Sequence, residues 1–123
     1  MPYWKHYFES LTTGNSRFVH CENLTPAHLP YLKDAGITRY QPSVSDALTI
    51  DNIRQNTDIP FDWLLYEYRI TDMSNEEIQA WVDRTVEAGI TVIRTQASRY
   101  AWTIGKEKNL LAFYKAFEKY RVE

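Results

Sequence analysis

The sequence predicts an α+β fold: a two-layer arrangement with a mixed, mainly antiparallel sheet of roughly four to five strands and helices packed on it, of the ferredoxin-like split βαβ type. Strand and helix patterns alternate along the chain. Two apolar extended stretches, ITVIRTQ (90–96) and YAWTIG (100–105), are separated only by Ala97, Ser98 and Arg99. Such a short joint implies an antiparallel pair, because a parallel crossover takes about a dozen residues or more. Polar residues two apart recur in the extended stretches: His20 with Glu22, Arg39 with Gln41, Glu67 with Arg69, and Arg94 with Gln96. Residues at i and i+2 share a face of a strand, so these eight could line one open sheet face. An α/β parallel sheet covered on both faces is the alternative, since strict alternation is also its signature.

Each element has its own signal. In YWKHYFESL (3–11), Trp4, Tyr7, Phe8 and Leu11 fall on one helical face, and Gly14 with Asn15 stops the helix. RFVHCE (17–22) reads as a strand. Thr25-Pro26 starts a helix that Gly36 closes; Pro30 either kinks it or leaves only Pro30–Ala35 regular. ITRYQP (37–42) is a strand. Residues 45–57 leave a helix undecided: Ser45 could cap one bearing Leu48, Ile50 and Ile53, but the spacing is imperfect. FDWLLYEYRI (61–70) is the strongest strand pattern, rich in aromatic residues. Ser74 and Glu77 form a capping box before a helix carrying Ile78, Trp81, Val82 and Val86, and Gly89 ends it. The last helix, 106–121, places Leu110, Tyr114, Phe117 and Tyr120 on one stripe with Phe113 beside it.

The letters AGIT occur at 35–38 and again at 88–91. Both follow an amphipathic helix and precede a strand. Glycine supplies the left-handed residue that closes a helix, and Ile-Thr begins an extended segment. The repeat is therefore a backbone corner reached twice, not a ligand motif. From 74 to 121 the order helix, AGI-strand, hairpin, strand, helix resembles ligand-binding ACT-type domains. That likeness lies in the fold, covers under half of the chain, and implies no site residue.

A length of 123 residues suits one domain spanning residues 1–123. The net charge of −2 argues against a general phosphate-backbone binder. The lone Cys21 fits a reducing compartment, and the start MPYWKHYFES lacks the apolar core of a signal peptide. A soluble, cytoplasmic protein is expected.

Candidate chemistry is sparse. His20 and Glu22 share a strand face and could do acid–base work, whereas Cys21 points to the opposite face. His6, His20 and His28 have no tight spacing and there is no C-x-x-C pair, so no metal is expected. The isolated glycines form no phosphate-cradling loop, so no nucleotide cofactor is expected either. Aromatic residues make up 15% of the chain, including nine Tyr and four Trp, types that often carry interface energy. The reading favoured is a non-catalytic binding or regulatory module. It would recognise a protein partner or small ligand through Tyr66, Tyr68, Arg94, Arg99, Tyr100 and Trp102. A homo-oligomer is compatible with it. The alternatives are a small dimeric α+β enzyme using His20 and Glu22, with Arg39 or Arg94 holding an anionic substrate, and a sheet that stacks nucleic-acid bases.

Overall fold

The computed structural model describes residues 2–11, 16–43 and 45–122. Contacts cluster into two units, Met1–Leu64 and Leu65–Glu123.

The first unit begins with helix α1 (Pro2–Glu9) and strand β1 (Phe18–His20). The helix stop expected at Gly14 and Asn15 lies outside the described residues. Thr25-Pro26 opens only a 3-10 turn, Pro26–His28, and helix α2 is Pro30–Asp34. Proline resolves the choice left open at Pro30: it is poor inside a helix and good at the first helical position. The Gly36 corner leads into β2 (Arg39–Gln41). Helix α3 (Ile50–Asn56) follows, capped by Thr49 rather than Ser45. The Thr49 hydroxyl accepts from the Asn52 N–H at 3.2 Å, while Asn52 Oδ1 accepts from the Thr49 N–H at 2.9 Å. Ser45 instead donates to the Leu24 carbonyl at 2.7 Å.

β1 and β2 run parallel, with Phe18 opposite Arg39, Val19 opposite Tyr40 and His20 opposite Gln41. A parallel bridge joins Tyr40 to Phe61, ahead of the two-residue strand β3 (Trp63–Leu64). Leu24, Leu29, Leu32, Ile37, Tyr40, Ile53 and Phe61 are buried in this unit.

The second unit is mostly helical. It contains α4 (Glu67–Ile70), α5 (Asn75–Glu87), the two-residue strand β4 (Ile93–Arg94), α6 (Tyr100–Thr103) and α7 (Glu107–Lys115), with a closing 3-10 turn at Glu118–Tyr120. The Ser74–Glu77 capping box forms as its sequence predicts, with bonds of 3.1 and 2.7 Å. α5 presses Ile78 and Val82 against Leu110 and Phe113 of α7, with Leu65, Ile70, Ala101 and Ala116 completing the core. The inward line of α7 is thus Leu110, Phe113 and Ala116; Tyr114, expected on the buried stripe, is 53% exposed.

Both AGIT corners close alike. Gly36 and Gly89 sit at φ of +77° and +75°. The Ile37 N–H reaches back to the Leu32 carbonyl at 3.1 Å, and the Ile90 N–H to the Thr85 carbonyl at 3.3 Å. This six-to-one bond with a left-handed glycine before it is the Schellman closure.

Among the described residues the sheet expected from the sequence is not seen. The fold is α+β and 48% helical, with two small parallel two-stranded sheets in place of one mainly antiparallel sheet of four to five strands. Nor do the described strands join into one continuous parallel sheet. Two segments account for the difference. YAWTIG is not the second arm of a hairpin, because Tyr100–Thr103 is helix. In FDWLLYEYRI the strand is only Trp63–Leu64, with Phe61 in a single bridge, and Glu67–Ile70 turns into helix. Polar contacts from distant parts of the chain reward the helical form of both.

Candidate functional site

Glu67 organises the region where most of the predicted binding residues lie. Its side chain is buried, with 4% of the residue exposed. Oε1 accepts from the Ala101 N–H at 2.9 Å, and Oε2 accepts from the Ser98 N–H at 2.9 Å and from the Ser98 hydroxyl. Ser98 Oγ in turn accepts from the Tyr100 N–H at 3.1 Å. The Tyr100 and Ala101 amides open α6 and would have no partner in an isolated helix, and the Ser98 amide precedes them. A carboxylate there satisfies them and complements the helix dipole. Burial pushes the Glu67 carboxyl up, but the Ser98 hydroxyl and the amides of Ala101 and Ser98 outweigh it and hold it below its ordinary range. A hairpin at 97–99 would leave this buried charge without partners.

Asn109 plays the matching part at the end of α4. Its Nδ2 donates to the carbonyls of Ile70 at 3.0 Å and Met73 at 2.8 Å. Carbonyls at the end of a short helix are thereby satisfied from a distant part of the chain.

With α4 and α6 held in this way, large aromatic side chains face outward. Tyr68, Tyr100 and Trp102 are 46%, 47% and 59% exposed. Tyr66 is half-buried and its ring stacks on Tyr68, with centroids 5.4 Å apart at 29°. Arg99 is the exposed residue that precedes α6, and Arg94 is exposed on β4. α4 and α6 are in contact, so helices carry Tyr68, Tyr100 and Trp102 instead of the strands expected. Glu67 and Arg69, expected on an open sheet face, belong to α4.

In the same unit, Asp83 ties α5 to the chain end. It pairs with Lys119 at 2.8 Å and accepts from Tyr120 Oη at 2.6 Å and Gln79 Nε2 at 2.8 Å. Lys119, then Tyr120 and Gln79, lower the Asp83 carboxyl to about 2.

The His20–Glu22 pair stands in the other unit. Parallel register sets His20 beside Gln41, and His20 Nδ1 lies 2.7 Å from Gln41 Oε1. His20 Nε2 is 3.9 Å from Glu22 Oε1. The hydroxyl of Ser43 donates to the same Glu22 oxygen at 3.4 Å. Ser43 adopts a left-handed φ of +54°, uncommon for a residue with a side chain. Of the eight polar residues expected on one open sheet face, His20, Glu22 and Gln41 lie close together. Arg39 turns instead to the fully buried Asp62, with which it forms a close ion pair. On the opposite face of β2, Tyr40 is wholly buried, and burial raises its hydroxyl well above the ordinary tyrosine value.

Sequence reasoning missed Glu67 and Asn109 as organisers. The available signal was a charged residue set between two tyrosines inside an apolar stretch. It was absorbed into an alternating pattern that a strand also explains. Among the described residues, no group of three His, Cys, Asp or Glu side chains is placed to hold a metal ion, and no helix is long and apolar enough to cross a membrane. Comparison with known proteins finds no matching family, no similar curated sequence and no similar solved structure.

Proposed function

We propose that the protein is a non-catalytic binding module whose contact surface is formed by α4 and α6. One observation carries this reading: Tyr68, Tyr100 and Trp102 are about half exposed on two short helices whose inner residues, Ile70 and Ala101, are fully buried. Large aromatic groups fixed in place lose little entropy on contact, and Tyr, Trp and Arg dominate interface energies. Arg94 and Arg99 belong to the same unit and supply charge. A protein partner suits this exposed, aromatic surface.

The test places a photo-crosslinking amino acid at position 102 of the full chain, in its own cell. A discrete adduct is expected. The triple substitution Tyr68→Ser, Tyr100→Ser and Arg99→Glu should abolish it while thermal melting stays within a few degrees of the parent. An adduct that survives these changes removes the reading.

One observation favours a second reading, acid–base catalysis at His20. With the Gln41 carbonyl oxygen as acceptor, His20 Nδ1 carries the proton and Nε2 is left as a base that faces Glu22. Unchanged biological activity in His20→Ala would eliminate it.

A further inference from the structure

A groove of about 470 Å³ lies between α1 and β1. One wall is aromatic, made by Trp4, Tyr7 and Phe8. The other is the unbroken run of residues 16–20, with no residue of β2. A groove lying over one face of a strand would be lined by alternate residues, because successive side chains point to opposite faces. Lining by consecutive residues places it along the outer edge of β1. Exposure agrees: Phe18 and His20 are exposed and Val19 is only half-buried.

That edge has hydrogen-bonding capacity to spare. Among the described residues β2 is the one strand paired with β1. The Arg17 carbonyl accepts from the Thr38 N–H at 3.0 Å, and the Cys21 N–H donates to the Gln41 carbonyl at 3.2 Å. Residues 17 and 21 thus turn their backbone toward β2. By alternation, Phe18 and His20 turn their N–H and C=O groups toward the groove. An unpaired strand edge is a template for a further strand.

The groove also carries charge. The Arg17 guanidinium sits over the Phe8 ring, 5.9 Å from its centroid, and pairs with no carboxylate among the described residues. A ring beneath leaves the planar fork of N–H donors available to an acid.

We propose that the groove between α1 and β1 binds an extended acidic peptide, which adds to the edge of β1 as a further strand, packs an apolar side chain on Trp4, Tyr7 and Phe8, and sets a carboxylate on Arg17. Backbone pairing supplies affinity, and the aromatic wall with Arg17 supplies selectivity. This site shares no residue with the aromatic residues of α4 and α6, so its fate leaves that reading standing.

The experiment is selection of a random heptapeptide phage library on the immobilised full chain, followed by synthesis of the enriched peptides. Enrichment of acidic residues together with apolar ones is expected. In the bound complex, hydrogen exchange at the Phe18 and His20 amides should slow, whereas Cys21 is already protected in the free chain. N-methylation of alternate peptide amides should abolish binding, and methylation of the intervening ones should leave it intact. Arg17→Glu should weaken binding about tenfold or more without changing the melting temperature appreciably. The proposal is overturned by a selection that enriches no peptide, by bound peptides that leave the Phe18 and His20 amides unprotected, or by binding indifferent to Arg17→Glu. It is equally overturned if those amides become protected in the free chain as its concentration rises, which would assign the edge to a second copy.

Discussion

The two units answer the same local instruction differently. Each contains an amphipathic helix, an Ala-Gly corner with a left-handed glycine, and an Ile-Thr step into extended chain. After Gly36 the chain forms a three-residue strand, paired along its length with β1 and bridged to Phe61. After Gly89 only Ile93–Arg94 is extended, and the chain soon enters α6. The corner is local and forms wherever its residues occur. The conformation beyond the corner depends on the partner at hand: a backbone ladder with β1 in the first unit, and the Glu67 cap at the start of α6 in the second. Ladders tolerate many side chains. Caps depend on one.

Deleting residues 106–122 breaks the comparison most forcefully. It removes Leu110 and Phe113, each 2% exposed, at about 1.5–3 kcal/mol per fully buried large side chain, and the Asn109 cap with them. Loss of cooperative melting in the second unit is expected, with slow hydrogen exchange retained at β1 and β2. Loss of protection throughout the chain would show that the units do not stand apart energetically, and a cooperative transition retained in the second unit would refute the packing role of α7.

Glu67→Ala comes next. It leaves the Ser98 and Ala101 amides without their acceptor, at a cost of about 3 kcal/mol. Exchange should accelerate at Tyr100–Thr103 before it does in α5. If the helix signature of 100–103 survives unchanged, the carboxylate is not what selects helix over hairpin.

Smaller still is a matched pair of glycine substitutions, one in each unit. Gly36→Ala and Gly105→Ala both place a side chain at positive φ, which costs on the order of 1–2 kcal/mol. A Cβ at Gly36 would also come within 2.5 Å of Arg17 Nη1, whereas nothing lies within 4 Å of one at Gly105. Arginine can swing aside, so the melting temperatures should fall by similar amounts. Only Gly36→Ala should alter the ring-current shift that Phe8 imposes on Arg17 resonances.

Acid sharpens the contrast by the least. Glu67 and Asp83 are held below their ordinary values in the folded protein, so the unfolded chain binds protons more readily. The stability they contribute is full above the ordinary carboxylate range and is lost as pH falls, for Asp83 from roughly 4 down to about 2. Exchange in α5 and at Glu118–Tyr120 should rise through that window, and Asp83→Asn should flatten the rise.

Much of the secondary structure was legible. The capping box at Ser74 and Glu77, the inward Ile78 and Val82, the Gly36 and Gly89 corners and the 17–22 and 37–42 strands all follow from spacing within a few residues. That His20 and Glu22 could share a face was legible from their spacing; that His20 meets Gln41 was not, because it depends on the parallel register of β1 and β2. The exposed aromatic residues were legible as residue types but their helical setting was not. Tyr66, Tyr68, Tyr100 and Trp102 suit a strand on propensity, and no nearby residue announces that Glu67 will cap a helix beginning beyond position 98.

The chain alone therefore fixed what depends on neighbours within one turn or one pleat: the Ser74 capping box, the glycine corners and the faces of α5. The tertiary structure decided what depends on residues more than thirty positions apart, as Glu67 is from Ser98 and Asn109 from Ile70. The physical reason is the burial of polar groups. A short aromatic segment is nearly indifferent between strand and helix, and the conformation that satisfies a buried carboxylate and the exposed ends of neighbouring helices is the one that persists.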